Sequence, residues 1–412
     1  MSQAAASTSE PRRRLPRWLI ALGVVFTLLG LPFTGRVAWV AWAPVNDDPV
    51  AQLRALASAL DDGGAAAMQS LFPEGEFFTW TLTGVAAARV AQNPAVRSED
   101  RAFARALAEQ ALAAVDSPVV ANRFLLGRSG EYVVHGVFYR GWRLTLLNEI
   151  AAWNTAAAAR ADAEATAILQ TVDASATPWL DSYPGQAWPC DTVVALAAAT
   201  ATDPARAAPF VARWQTRIAD AYDPATGLLA HRVDAAGRAD GPSRGSSQSI
   251  IAAFWPTLSG GDPHPWFDYV DTFLARRLGV VGVLEYHADR GPGDVDSGPL
   301  VLGLSASASA VTQAAARANG DTDLADRLNR EMELFGLPWQ AGGARTYLLG
   351  QLPVASAFFV WADTTPVGEP TASRAPRPAW WWLAALPLTP AAVVWVAAVL
   401  LRRRHPRAGE AR

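Results

Sequence analysis

Two kinds of helical stretch alternate along this chain. One kind is amphipathic: apolar residues recur every three or four positions, with arginines and acids on the opposite face. Leu53, Leu56 and Leu60 mark the first, and 98–115, 155–172, 204–221, 265–278 and 321–335 follow the same rule. The other kind is apolar all round and rich in alanine, and begins near residues 76, 140, 184, 244, 292 and 353. A helix with one apolar stripe can face water on its other side, whereas one apolar on every side must be enclosed. Six outer–inner hairpins meet both demands if the inner helices form a ring and the outer ones jacket it. The pattern therefore predicts a mainly α fold, an (α/α)6 toroid or six-hairpin barrel, with an open helical array as the other arrangement of such repeats. Short β-structure is expected at 226–233, a hairpin, and at 282–287.

The two ends follow a different pattern. Residues 18–33 are apolar and uncharged behind Arg12, Arg13, Arg14 and Arg17, and Arg36 with the following Val-Ala-Trp-Val-Ala-Trp extends the run toward 43. A cleaved signal peptide ending at Ala41-Trp-Ala43 is the competing reading; Pro44 and the long charged lead favour an uncleaved anchor. Residues 380–401 carry no charge, open on Trp380, Trp381 and Trp382, and stop at Arg402, Arg403 and Arg404. The expected order is a cytoplasmic tail at 1–17, a transmembrane helix and interface at 18–43, an extracytoplasmic domain at 45–363, a proline-rich tether at 364–379, a second transmembrane helix at 380–401 and a basic cytoplasmic tail at 402–412. Arginines outside both spans place both termini in the cytoplasm of a two-pass plasma-membrane protein, with the lipid bilayer as a partner.

Composition narrows the chemistry. Among 412 residues, 51% are hydrophobic and 18% charged, enough to bury a large core. All 35 basic residues are arginine, which removes Schiff-base and P-loop lysines. One cysteine excludes an internal disulfide and a multi-thiolate zinc site. His135, His231, His264, His287 and His405 form no i,i+4 pair, so neither metal nor cofactor is expected. The net charge of −3 conceals basic tails of +3 and +4 around a body of −10, which argues against nucleic acid as a partner of the body.

If the inner helices form a ring, the loops that open them gather at one mouth. The loop Asp181-Ser-Tyr-Pro-Gly-Gln-Ala-Trp-Pro-Cys-Asp191 is the richest of these. The candidate catalytic groups are Asp191, Asp294, Asp296, Cys190 and Glu76. The candidate substrate-binding groups are Tyr139, Trp142, Asp181, Tyr183, Trp188, Arg244 and Ser246, with Trp80, Arg140 and Arg143 beside them. Carboxylates among aromatic walls and an arginine suit acid–base work, because burial raises one carboxyl while a cation lowers another. Each has a plainer role too. Asp191 is equally placed to cap a helix, Asp294 and Asp296 to brace a tight turn, hold calcium or cap the next helix, and Cys190 to fill the core. Arg244 is placed to clamp an anion or to pair with Asp191, and Ser246 lacks a nucleophile elbow.

At these loops the chain resembles the linalool dehydratase-isomerase family over about 72–335. The residues that carry the resemblance are Gly75, Phe77 and Trp80, then Tyr139-Arg-Gly141, the loop ending in Cys190, Asp223-Pro-Ala-Thr-Gly227, the loop 293–298 and Gly320-Asp-Thr-Asp-Leu. The resemblance implies an (α/α)6 fold outside the cytoplasm, with Cys190 at a catalytic cysteine position. Cys190 matches the second cysteine of that family's loop, while Asp181, Trp142 and Glu76 stand where the family has the loop's first cysteine, a histidine and a further pocket cysteine. These replacements make the pocket richer in carboxylates and bring it nearer the six-hairpin glycosidases and unsaturated-uronide hydrolases, where paired acids act. Thr226-Gly-Leu-Leu-Ala-His-Arg-Val followed by Arg244-Gly-Ser-Ser is similar to those enzymes as well.

The expected function is thus a membrane-anchored enzyme of lyase, isomerase or glycosidase type, acting on a small organic molecule or an oligosaccharide. In it Asp191 works with Asp294 or Asp296 and Arg244 orients the substrate. The alternative is a non-catalytic ectodomain that binds a glycan or a partner.

Overall fold

The computed structural model describes residues 17–43, 48–129, 132–288 and 291–403. Most of the arginine-rich ends, at 1–16 and 404–412, and the junction at 44–47 lie outside the described residues. The chain divides into two compact units, Met1–Pro44 with Ala379–Arg412, and Val45–Pro378.

In the smaller unit, α1 (Arg17–Trp42) packs against α17 (Thr389–Arg403) and the two 3-10 turns before it. Among the described residues, Arg17–Trp42 and Trp382–Leu401 are the two stretches long and apolar enough to cross a membrane. Small residues line the seam: a Cβ on Gly23 would lie 2.8 Å from the Trp395 ring, and one on Gly30 2.5 Å from the Pro387 carbonyl. Thr34 donates to the Ala384 carbonyl at 2.6 Å, and Trp395 Nε1 donates to Thr27 at 3.3 Å. Trp18 and Trp39 are exposed near the two ends of α1, roughly 30 Å apart at 1.5 Å per residue, the thickness of a bilayer core. A single helix was expected over 380–401, but α-helix starts only at Thr389. Pro387 and Pro390 lack amide hydrogens, and the preceding residues wind as 3-10 turns.

The larger unit contains six nearly enclosed helices. They are α4 (Gly75–Gln92), α7 (Val137–Ala151), α9 (Pro189–Thr202), α11 (Gly245–Phe254), α14 (Ala306–Ala318) and α16 (Pro353–Thr364). Each packs on the next, and α16 packs back on α4. Small side chains permit the approach: Gly141 sits against Ala195, and Gly84 against Ala111 and Leu146. Helices buried on one side only accompany them: α2 (Pro49–Asp61), α5 (Ser98–Val115), α8 (Thr155–Ala174), α10 (Pro204–Gln215), α13 (His264–Phe273) and α15 (Thr322–Phe335). Short helices complete the set: α3 (Gly64–Gln69), α6 (Pro118–Ala121) and α12 (Pro256–Ser259). Side-chain caps from Asp48, Asn154, Asp203, Ser305 and Asp321 satisfy the first amides of five of these helices.

The connections into the enclosed helices carry the β-structure. β1 (Leu125–Ser129) pairs with β2 (Tyr132–His135), β3 (Tyr222–Asp223) with β4 (Leu228–Leu229), and β9 (Trp339–Ala341) with β10 (Ala344–Thr346). β5 (Leu274–Arg277), β6 (Val280–Leu284), β7 (Leu300–Val301) and β8 (Leu304–Ser305) form one sheet in the order β5-β6-β8-β7. This sheet revises two expectations. The helix expected to run through 278 stops at Phe273, and the apolar run expected to be helical from 300 begins with a tight hairpin, β7 and β8 joined by a turn at Leu302 and Gly303, before α14.

After α16 the proline-rich stretch lies against α14 and α15. Gly368 N donates to the Arg317 carbonyl at 2.8 Å, Thr371 N to Gly320 at 3.1 Å, and Arg327 to Ala375 at 3.1 Å. Gly320, at φ +70°, must be glycine: a Cβ there would meet the Glu369 carbonyl at 1.7 Å.

Candidate active site

Three carboxylates stand in the connections and first turns that open α4, α9 and α14. Asp191 lies in the first turn of α9, whose N-cap is Trp188, so its carboxylate is free of capping duty. The Ser182 hydroxyl donates to Asp191 Oδ2 at 2.5 Å, and Cys190 Sγ lies 3.6 Å from Oδ1. Burial pushes the Asp191 pKa up to about 7; bonds from Ser182 and Cys190 pull it back, and the charges of Glu74 and Asp296 push it further. The positive end of α9 favours the anion by about 1 kcal/mol. Desolvation outweighs that.

Glu74 immediately precedes α4 and accepts the phenolic hydrogen of Tyr183. Burial raises its pKa, the Tyr183 bond lowers it, and the Asp296 charge raises it again. Asp296, half-exposed, rises through desolvation and the Asp294 charge, with Arg244 opposing. Burial and the Glu74 charge hold Tyr183 as a phenol, while burial and the Asp191 charge hold Cys190 as a thiol. Tyr183 meets Trp188 edge-on at 5.8 Å, forming an aromatic wall beside the acids.

Arg244 holds the neighbouring side of the site. It is the N-cap residue of α11; Nε donates to Glu285 Oε1 at 2.6 Å and Nη1 meets Asp294 Oδ2 at 2.7 Å. Its guanidinium lies over the Tyr286 ring at 5.5 Å. Glu285, with no exposed surface, also accepts from Ser246 N at 3.1 Å and Ser246 Oγ at 2.8 Å. His231 Nε2 lies 3.4 Å from Arg244 Nη1, and since arginine only donates, Nε2 accepts and Nδ1 carries the hydrogen toward Ser247. Burial and Arg244 lower the His231 pKa to about 4, so the ring is neutral. Burial pushes Asp294 upward, but the Arg244 bond and the Ser297 amide outweigh it and hold the pKa at about 2. Asp294 Oδ1 also accepts from the amides of Asp296 and Ser297, each at 3.1 Å, so Asp294 braces its own turn.

Of the residues expected at the mouth, Asp191, Cys190, Tyr183, Trp188, Asp296, Asp294, Arg244 and Ser246 therefore fall into one linked neighbourhood. Four others have separate surroundings. Glu76 pairs with Arg123 at 2.6 Å. Tyr139 stacks on Phe124 and donates to the Val115 carbonyl at 3.2 Å, with burial pushing its pKa to about 12. Trp142 is wholly buried among Phe78, Phe254 and Trp361. Asp181 is exposed and accepts from Gly185 N at 3.0 Å. Arg140 and Arg143 turn to Glu164 and Asp116, each at 2.6 Å. A groove of about 420 Å³ beside Arg101, Arg105 and Glu109 lies on α5, away from these acids.

Glu74, Ser182 and Glu285 join the site without having been expected there, as do His231 and Ser247, which the pattern alone gave no site role. Glu74 was one residue from legible: α4 starts at Gly75, which leaves Glu74 before the first turn and sends Glu76 to Arg123. Glu285 carried a usable signal, being a lone acid at the end of the apolar strand β6. No protein-family model and no curated protein matches this chain.

Proposed function

We propose that this chain is a membrane-anchored, extracytoplasmic enzyme of the six-hairpin toroid type that performs acid–base chemistry on an uncharged organic or glycan substrate. The toroid reading is supported by the neighbour relation of the six enclosed helices, which returns from α16 to α4. One observation carries the catalytic reading: Asp191 is buried, is held by Ser182 and Cys190 with no arginine paired to it among the described residues, and lies in the shared field of Glu74 and Asp296. Burial lifts such an acid toward neutrality, which matches it to proton donation and recovery.

In this reading protonated Asp191 gives its hydrogen to a leaving hydroxyl or glycosidic oxygen as the C–O bond breaks. Ionised Glu74 or Asp296 takes the compensating proton, either from the adjacent C–H, leaving an alkene and water, or from a water that attacks the carbon. Ser182 aims the Asp191 carboxyl, and Tyr183 and Trp188 wall the substrate. Cys190 contributes a neutral thiol that donates toward Asp191 and does not act as a thiolate nucleophile. Arg244 is committed to Glu285 and Asp294, so its part is to hold the Asp294–Asp296 loop in place.

The test is turnover by the purified full chain on oligosaccharides, uronides and terpene alcohols, followed by Asp191→Asn and Glu74→Gln. A loss of about 10²–10⁴-fold is expected for the first variant. Unchanged turnover of an identified substrate in both variants would remove the assignment. The second reading, a non-catalytic glycan- or partner-binding ectodomain, is favoured by Asp294, Glu76 and Asp181, whose carboxylates are engaged in ion pairs or turns. Ligand binding that survives Asp191→Asn, with no turnover by the parent chain, would favour it.

A further inference from the structure

A second buried carboxylate lies outside this site. Asp363, near the end of α16, is 6% exposed and accepts three hydrogen bonds: Gln52 Nε2 of α2 at 2.7 Å, Gln313 Nε2 of α14 at 2.7 Å and Asn329 Nδ2 of α15 at 2.8 Å. All three donors are neutral amides, each more than nine-tenths buried. Their own oxygens, Gln52 Oε1, Gln313 Oε1 and Asn329 Oδ1, are buried with no hydrogen-bond partner. A charge without a bonded cation, ringed by acceptors that lack donors, is costly in a low-dielectric interior. One added proton removes the charge, and rotation of a single amide turns one of these oxygens toward the new O–H as its acceptor.

We propose that this node is a proton-operated latch between the first helix of the body and its last, one that tightens in acid and slackens toward neutral pH. It is independent of the acids around Asp191. The proton comes from solvent and rests on the Asp363 carboxyl. The charged groups on the packed elements are few and mostly engaged. Arg317 of α14 donates to the Thr365 carbonyl at 2.7 Å and pulls the Asp363 pKa down, and Arg89 of α4 is paired with Glu149. Arg345 and Tyr347 near β10 are tied to Glu333 of α15, Glu331 of α15 accepts from Val281 N, and Arg54 of α2 is paired with Asp100. Burial dominates over these contacts and the three amide bonds, raising the Asp363 pKa from 3.8 to about 6. A raised acid contributes stability that is present below 3.8 and lost as pH rises through 6.

The experiment is hydrogen exchange on the full chain in detergent or nanodiscs between pH 5 and 7.5, corrected for intrinsic exchange, in wild type and Asp363→Asn. In wild type, opening of α2 and α16 is expected to increase across that range by up to about tenfold relative to α8. In Asp363→Asn that excess should vanish. Parallel pH profiles for α2, α16 and α8 in the wild-type chain would overturn the latch even if the variant failed to fold. An excess that persisted in a folded Asp363→Asn would overturn it as well.

Discussion

Arg244 and Glu285 form an ion pair at 2.6 Å in which the glutamate has no exposed surface and the arginine side chain is 10% exposed. The pair bridges the start of α11 to the residue after β6, so it ties a helix mouth to the sheet that carries the Asp294–Asp296 loop. Burial pushes Glu285 upward and is opposed by Arg244 and Ser246; a truncation would leave Arg244 with Asp294 alone and take the acceptor from Ser246 N and Oγ. Glu285→Ala is expected to cost about 3 kcal/mol, because it removes one of the two carboxylates that neutralise a buried guanidinium and leaves Ser246 without an acceptor. Denaturant unfolding of the purified chain measures it; a cost below about 1 kcal/mol would mean that water replaces the carboxylate.

Ser182 sets where Asp191 titrates. Its bond to Oδ2 stabilises the anion and lowers a pKa that burial has raised to about 7. Ser182→Ala therefore moves the Asp191 pKa upward. If protonated Asp191 is the acid, the alkaline limb of kcat/KM shifts to higher pH in the variant, and a pH–rate profile reads the shift directly. A shift to lower pH would contradict the role given to Ser182.

The same carboxyl makes a prediction about stability. Its folded pKa lies above the ordinary 3.8, so its favourable contribution is present below 3.8 and is lost as pH rises through about 7. Asp191→Asn should then be more stable than the parent at pH 8, by on the order of 2 kcal/mol, and the gap should shrink toward pH 4. Thermal melts across that range test the sign.

Gly136 stands where α7 begins, and a Cβ there would lie 1.9 Å from the Ser182 carbonyl. Gly136→Ala must displace the Asp181–Gln186 turn and Ser182 with it, although the φ of −62° suits any residue. We expect reduced turnover, with the Asp191 pKa shifted in the same direction as in Ser182→Ala. A carboxyl titration followed by NMR distinguishes this from general unfolding.

In the smaller unit, Gly23→Leu should part α1 from α17, since a Cβ at that position already meets the Trp395 ring at 2.8 Å. Crosslinking between cysteines introduced along the two helices, on the Cys190→Ser background, is expected to fall severalfold in the variant.

The helical frame was legible because its signal is local. A charge-free, alanine-rich run is readable from a dozen neighbouring residues, and α4, α7, α9, α11 and α16 all lie close to where the pattern put them. The start of α14 was not, because residues 300–305 take their conformation from Val283 and Leu284, about twenty positions earlier, and no window along the chain shows that pairing. Site residues failed for a related reason. Each step along a helix turns the side chain by roughly 100°, so an error of one or two residues in a start exchanges Glu74 for Glu76 or turns Tyr139 toward the outer layer. Asp191 and Tyr183 survived that uncertainty because several of their loop neighbours point the same way.

The bond from Gln52 to Asp363 spans 311 residues, and the contact between α16 and α4 likewise joins the early part of the chain to the late. During synthesis the flank of α4 therefore waits bare until the final helix of the body has left the ribosome. Any product that stops short of residue 353 keeps that oily flank uncovered, and so advertises its own incompleteness to whatever proteases and chaperones inspect it.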